Sequence, residues 1–175
     1  MGLMSGSYLA RVDMTLLIPE LIHACVDLFE QLNNRVGITY RAYVGYRPAY
    51  PDQQRLYEES LNGGPRAAPP WLSSHQWGLA VDVEAYNPGP TWDDKAYVPL
   101  WRALDNHPIL RSGHSFGDGD HIELRHPDGP WNALRLAVLP RVSSSDLVSR
   151  AWPLIRTITK LAAPGTPAAH VVTNS

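Results

Sequence analysis

The sequence has a single cysteine, Cys25, among its 175 residues. One thiol cannot form an internal disulfide, and it excludes every zinc site that is built from several thiolates. Any metal ion bound by this chain must therefore be held by histidine, aspartate or glutamate side chains.

An excess of charge is also lacking, because 15 Lys and Arg residues face 17 Asp and Glu residues, for a formal net charge of −2. Such a chain lacks the excess of positive charge that is typical of proteins that bind DNA, RNA or an anionic membrane surface. No apolar run approaches the ~20 residues of a membrane span. Residues 1–10 lack a basic segment followed by an apolar core, so we expect synthesis in the cytoplasm without a signal peptide.

What is present is the composition of a globular protein, with 44% hydrophobic and 18% charged residues. The 13 glycines and 16 prolines predict short elements joined by many loops. We predict one domain over residues 1–161, followed by a disordered Ala/Pro/Thr-rich tail over 162–175.

Hydrophobic periodicity predicts both helices and strands. Helical spacing occurs over 19–37, 51–57, 92–104, 131–139 and 145–161. Period-two alternation predicts strands at 38–44, 79–84 and 121–125. This mixture predicts an α+β fold, in which helices flank a small antiparallel sheet.

Two of the predicted strands carry side chains that can bind a metal. Asp82 lies within strand 79–84, and His121 begins strand 121–125. If these strands are antiparallel neighbours, both side chains project from one face, and the preceding loop brings His75 over the same point. Two neutral imidazoles, one carboxylate and a water form a catalytic zinc site.

The alternative is that these residues are ordinary polar side chains, since the chain has seven histidines. Asp82 is harder to explain in that way, because a carboxylate between Val81 and Val83 needs a partner. The helical zinc-protease motif His-Glu-x-x-His is absent, which excludes that class.

Three motifs occur in the order known from one enzyme family. Residues 73–82 read SSHQWGLAVD and match Ser-x-His-x-x-Gly-x-Ala-x-Asp. Residues 118–123 read DGDHIE, with an acid three positions before the histidine, and residues 45–57 contain Gly-Tyr-Arg-Pro followed by Gln54, Leu56 and Tyr57. Over roughly residues 16–124, the chain resembles the D-alanyl-D-alanine carboxypeptidase and L-alanyl-D-glutamate endopeptidase family of zinc peptidases. The resemblance implies the small α+β fold shared with the hedgehog signalling domain and lysostaphin-type enzymes.

The resemblance also implies a role for each motif residue. His75, Asp82 and His121 correspond to the zinc ligands. Asp118 takes the place of the general base, which must accept a proton from the zinc-bound water and pass it to the leaving amine. Asp120 is the alternative base, but it is adjacent to the ligand His121 and its side chain should point away from the metal.

Three further residues receive roles toward the substrate. Arg47 would stabilise the carbonyl oxygen or bind a substrate carboxylate; the alternative is a surface turn arginine with a helix-capping role. Ser73 is predicted to hydrogen-bond the substrate, and Gln54 to support Arg47 at the substrate site. Glu123 is a candidate acceptor for a ligand imidazole or a solvated strand residue, and Trp77 is a core residue rather than a cleft wall.

The resulting hypothesis is zinc-dependent hydrolysis of a peptide bond in the stem peptide of bacterial peptidoglycan. The first choice is an L-alanyl-D-glutamate endopeptidase, a phage-type lysin or delivered toxin that acts on the cell wall after release or delivery. D,D- or L,D-carboxypeptidase activity is the second choice, and a zinc-bound, non-catalytic binding domain is the alternative of another class. The acid at Asp118 argues against a pure binder. We expect a monomer whose partners, besides the stem peptide, include an immunity or delivery protein.

Overall fold

The computed structural model describes residues 8–86, 89–125 and 148–159. Their four α-helices are α1 (Pro19–Val36), α2 (Gln54–Leu61), α3 (Asp94–Asp105) and α4 (Val148–Thr159). Their five strands are β1 (Thr39–Val44), β2 (Ala80–Tyr86), β3 (Pro90–Thr91), β4 (Leu110–Ser112) and β5 (His121–Leu124). The predicted α+β class is confirmed.

All strand pairs are antiparallel, in the order β1-β2-β5-β4, with β3 paired to the end of β2. In the β2–β5 pair, Asp82 lies opposite His121 and Val81 lies opposite Ile122. Directly opposed residues share a face of the sheet. The register therefore separates a polar face with Asp82 and His121 from an apolar face with Val81 and Ile122.

The apolar face of the sheet is covered by α1 and α3. Helix α1 begins with Pro19 in its first turn and ends at Gly37, whose φ of 69° is left-handed. Its buried stripe includes Leu21, Cys25 and Phe29, each 0% exposed. A fully buried Leu or Phe side chain contributes roughly 1.5–3 kcal/mol. This packing holds the sheet in place, and the polar side chains project from its other face.

Helix α4 packs beside the turn that precedes β2. The Trp152 indole Nε1–H donates to the Trp77 carbonyl oxygen at 3.1 Å, and Ile155 is buried. The Arg156 guanidinium pairs with the Glu20 carboxylate on α1. Helix α4 thus joins α1 to the turn that carries His75. Among the described residues, no helix is long and apolar enough to cross a membrane.

Some predicted elements differ from those observed. The short helix predicted from Pro51 begins instead at Gln54, because Ala49–Gln53 forms an irregular turn in which Tyr50 is extended (φ −135°, ψ 137°). Strands β3 and β4 are absent from the sequence prediction. The predicted helix over 131–139 and the tail over 162–175 lie outside the described residues.

Candidate metal centre and its cleft

The three predicted metal ligands come from two strands and one turn. Asp82 and His121 face each other across β2 and β5, and His75 lies in the 3₁₀ turn Ser74–Trp77. Gly78 ends this turn with a φ of 67°. A Cβ at Gly78 would lie 2.2 Å from the Leu16 carbonyl oxygen, so only glycine allows the turn to pack there. The glycine of the first motif therefore sets the position of His75 relative to Asp82.

One atom of each predicted ligand meets the other two at close range. The distance from His75 Nε2 to Asp82 Oδ1 is 3.0 Å, and that from His121 Nδ1 to Asp82 Oδ1 is 3.1 Å. The two imidazole nitrogens are 3.2 Å apart. Tetrahedral zinc with bonds of about 2.0–2.1 Å holds adjacent ligand atoms about 3.3 Å apart. The triangle formed by His75 Nε2, Asp82 Oδ1 and His121 Nδ1 has nearly this spacing, and the three residues could hold a metal ion.

The outer hydrogen bonds of the imidazoles leave lone pairs directed into this triangle. His75 Nδ1 lies 2.6 Å from the Gly45 carbonyl oxygen, which only accepts, so Nδ1 carries the proton and Nε2 a lone pair. His121 Nε2 faces Glu123 Oε2 at 3.4 Å, which leaves the His121 Nδ1 lone pair facing Asp82. Three lone pairs at 3.0–3.2 Å repel one another unless a proton or a metal ion lies among them. This donor set fits a metal ion.

The side chains of this triangle are buried, with His75, Asp82 and His121 exposed by 2%, 8% and 6%. Burial disfavours the charged form of Asp82, but the charge of His75 and hydrogen bonds from His121 and His75 outweigh it and hold the Asp82 pKa well below its usual range. Burial likewise disfavours protonated His121, yet hydrogen bonds to Asp82 and Glu123 raise the His121 pKa. Both shifts reflect the attraction of the buried Asp82 carboxylate for a positive charge beside it, which either a proton on an imidazole or a metal ion can supply.

Glu123 contacts a ligand imidazole, as expected from its position on the face of His121. Its carboxylate also accepts a hydrogen bond from the buried Ser74 hydroxyl and one from Arg111 Nε at 2.7 Å. Ser74 precedes His75 in the chain, so Glu123 connects the turn of one ligand to the strand of another. Such partners fix the orientation and the tautomer of a metal-binding imidazole.

The two acids of the second motif face different neighbours. Asp118 Oδ2 lies 4.0 Å from His121 Nδ1, and the Asp118 side chain is 49% exposed. Burial, a hydrogen bond with Asp120 and nearby carboxylates raise the Asp118 pKa to about 6, although His121 opposes the rise. Asp120 instead accepts a hydrogen bond from the Tyr43 hydroxyl at 2.7 Å. Of the two, Asp118 is the acid that lies beside the triangle with an open face.

Arg47 lies against the outer oxygen of Asp82. Its Nη2 donates to Asp82 Oδ2 at 3.2 Å and its Nη1 to Gln53 Oε1 at 3.4 Å. The prediction that Gln54 supports Arg47 is wrong, because Gln54 Nε2 donates to Glu58 and the buried Gln53 takes that place. The irregular turn before α2 shifts the helix phase by one residue.

The remaining predicted residues have structural partners. The Ser73 hydroxyl accepts from the His75 backbone N–H at 3.3 Å and caps the turn, while Ser73 also lines the cleft. Its contact with a substrate stays a prediction. Trp77 is 1% exposed, so its assignment to the core is confirmed. His114 stacks on Trp101, with ring centroids 3.8 Å apart.

A cleft of 690 Å³ opens onto the triangle, within the range of small-molecule and peptide sites. One wall is the polar face of the sheet with the turn of His75, and the other is formed by α2 and the segment 65–69. Sequence reasoning missed two aromatic lining residues, Tyr43 and Phe116. Phe116 packs edge-on against the His121 ring at 5.8 Å and is 45% exposed. Nothing in the spacing of Phe116 marks it, because it lies in a short 3₁₀ turn without a repeating pattern.

No protein-family model matches the chain, and no curated protein matches it. Among solved structures, the L-Ala D-Glu endopeptidase ChiX of Serratia marcescens is similar, with 23% identity, a TM-score of 0.48, and coverage of 66% of this chain and 87% of that one. A mutant of the vancomycin resistance D,D-pentapeptidase VanY, in complex with Zn(II), has 17% identity, a TM-score of 0.46, and coverage of 76% and 83%. The vancomycin resistance D,D-dipeptidase VanXYg, in complex with a D-Ala-D-Ala phosphinate analog, has 17% identity, a TM-score of 0.43, and coverage of 77% and 58%.

Proposed function

We propose that this chain is a zinc-dependent peptidase that cleaves the stem peptide of bacterial peptidoglycan, with the L-alanyl–D-glutamate bond as its target. The observation that carries the proposal is the buried triangle of His75 Nε2, Asp82 Oδ1 and His121 Nδ1, which opens onto a cleft beside the carboxylate of Asp118. Two imidazoles and one carboxylate form the protein part of a catalytic zinc site, which keeps one position open.

Zinc and the side chains around the triangle would each have a different role in the reaction. When bound, zinc polarises a scissile carbonyl and lowers the pKa of the attacking water. Asp118 accepts the proton of that water at its carboxylate and delivers it to the leaving amine. Arg47 holds Asp82 Oδ2, so that Oδ1 faces the imidazoles, and its positive charge at the cleft wall opposes the negative charge that grows on the carbonyl oxygen.

The substrate class comes from the three sequence motifs, which resemble those of peptidases acting on peptidoglycan. The same site could remove a terminal residue instead, as a D,D- or L,D-carboxypeptidase. Action after release or delivery, a monomeric state and an immunity or delivery partner belong to the same proposal.

The experiment is digestion of purified peptidoglycan with the zinc-loaded protein, followed by mass spectrometry of the released fragments. The proposal expects a new N-terminus at D-glutamate in the products. Release of single D-alanine residues would replace the endopeptidase assignment with a carboxypeptidase one. Binding to peptidoglycan without any cleavage would contradict the enzyme assignment and support a non-catalytic binding domain. The His75→Ala variant is the control for contaminating hydrolases.

A further inference from the structure

Two arginines line the cleft, and they differ in what they contact. Arg47 is engaged by Asp82 and Gln53. Arg66 is exposed, and within residues 8–86, 89–125 and 148–159 it forms no hydrogen bond or ion pair. Its guanidinium therefore remains available to a molecule that enters the cleft.

The loop that carries Arg66 is anchored on both sides of this residue. On one side, the Gly64 backbone N–H donates to the Glu59 carbonyl oxygen at 2.9 Å. On the other, Gln53 Nε2 donates to the Ala68 carbonyl oxygen at 2.6 Å. Because Gln53 also contacts Arg47, a chain of hydrogen bonds links this loop to the metal-site carboxylate of Asp82. The backbone on both sides of Arg66 is thus tied to α2 and, through Gln53 and Arg47, to the site.

The charges around the cleft are distributed unevenly between its walls. On the sheet wall, the carboxylates of Asp82 and Glu123 are each paired with an arginine, whereas the Asp118 carboxylate is 49% exposed. On the other wall, the lining carboxylate of Glu59 is paired with Arg55 at 2.6 Å. A negatively charged group on a bound peptide is repelled by the open acid Asp118 and attracted to Arg66. This polarity orients a peptide that carries a free carboxylate.

We propose that Arg66 binds a free carboxylate of the peptide substrate and so determines a preference for the acid over the carboxamide. The inference rests on the proposed peptidase function and adds a specificity residue to it. A guanidinium suits this task because its planar fork donates two parallel hydrogen bonds to a carboxylate. In a stem peptide, the carboxylate is the α-carboxylate of γ-linked D-glutamate or the terminal carboxylate.

The test uses two pairs of synthetic stem peptides and the zinc-loaded wild-type and Arg66→Gln proteins. One pair differs only in a free or amidated α-carboxyl of D-glutamate, and the other only in a free or amidated C-terminus. We expect the wild-type protein to favour the acid of one pair by about tenfold or more in kcat/KM. Arg66→Gln should lose that preference through a higher KM for the acid, with unchanged kinetics on the amide.

The Arg35→Gln variant is the matched control, because Arg35 is exposed in the last turn of α1 and does not line the cleft. It should keep the wild-type preference for the acid. An acid-to-amide ratio in Arg66→Gln equal to that of the wild type, for both peptide pairs, would overturn the inference. So would an equal loss on acid and amide, since that indicates a structural role.

Failure of the proposed peptidase function gives a different result from failure of the Arg66 proposal. If the wild-type protein cleaves none of the four peptides, the peptidase proposal fails, and the affinities of the same peptides are measured by calorimetry. An acid preference in binding that disappears in Arg66→Gln would still support the carboxylate site. Equal affinities in the two proteins would overturn it.

Discussion

The two walls of the cleft are built in different ways. On the sheet wall, His75, Asp82, His121 and Glu123 are at most 8% exposed, and each contacts at least one other member of this set. On the loop wall, Arg66 is exposed and has no partner among the described residues. The metal-binding part of the sheet wall is thus buried and interconnected, whereas the wall that we assign to substrate selection can change at little cost to the fold.

Arg47 and Gln53 connect the two walls. Arg47 contacts Asp82 on the sheet side, and Gln53 contacts both Arg47 and the Ala68 carbonyl oxygen on the loop side. Substitutions on the sheet wall should therefore abolish metal binding or catalysis, those at the connection should affect both walls, and those on the loop wall should affect substrate preference alone.

The largest effect is expected for His75→Ala on the sheet wall. It removes one of three converging ligand atoms, and two protein ligands hold zinc poorly. We expect zinc to be lost on dialysis, together with all measurable peptidase activity, as followed by elemental analysis and peptidoglycan digestion. His23→Ala, at an exposed position of α1, is the matched control and should retain both. Retention of zinc by His75→Ala would show that the metal lies elsewhere.

Asp118→Asn should separate catalysis from metal binding on the same wall. Asparagine keeps the size of the side chain but cannot accept the proton, so we expect a loss of about 10²–10⁴ in kcat. Zinc content and the thermal midpoint should be unchanged, because Asp118 is not part of the triangle.

Asp120→Asn is the comparison for Asp118→Asn, because the amide oxygen can still accept from the Tyr43 hydroxyl. It should retain most of the activity. If Asp120→Asn is inactive while Asp118→Asn is active, the assignment of the base is reversed.

Arg47→Ala tests the connection between the walls and should have two effects. Loss of the charge that opposes the developing oxyanion should lower kcat/KM by about 10²–10³ at saturating zinc. Loss of the hydrogen bond to Asp82 Oδ2 should also weaken zinc binding by about 10- to 100-fold, as for other residues that orient metal ligands. Normal turnover with normal zinc affinity would leave Arg47 with only a structural role in its turn.

Gln53→Ala should have the smallest effect, since it removes the contacts to the loop wall and to Arg47 Nη1 but leaves the hydrogen bond from Arg47 to Asp82 in place. It leaves the Ala68 carbonyl oxygen without its amide donor, so we expect a loss of about 1–3 kcal/mol in the free energy of unfolding. KM should rise while kcat changes by less than about tenfold. Gln54→Ala, whose side chain donates a hydrogen bond to Glu58 on the same helix, is the control and should resemble the wild type. A larger loss of kcat than of KM in Gln53→Ala would contradict this division of roles.

The geometry of the sheet wall is the part that follows most directly from sequence. Alternation along 79–84 and 121–125 places Asp82 and His121 on the polar face, and pairing of the two strands then sets them opposite each other. The loop predicted before strand 79–84 contains His75, and the φ of 67° at Gly78 together with the approach of Leu16 explains why that loop holds His75 over the sheet.

The loop wall and the short strands could not be predicted in this way. Strands β3 and β4 have only two and three residues, which is too short for alternation to be recognised. Gln53 and Gln54 are adjacent identical residues, and only the extended Tyr50 in the preceding turn decides which of them faces Arg47. Phe116 and Arg66 line the cleft through turns and loops, where no periodicity links a side chain to a direction.

The central claim is that the triangle on the sheet wall holds one zinc ion, and X-ray absorption at the zinc edge tests it most directly. The protein is loaded with zinc, dialysed and analysed for metal content before the spectrum is recorded. The account predicts about one zinc per chain, with two imidazole nitrogens and a carboxylate oxygen at roughly 2.0–2.2 Å. A protein that retains no zinc, or a spectrum without imidazole scattering, would contradict it.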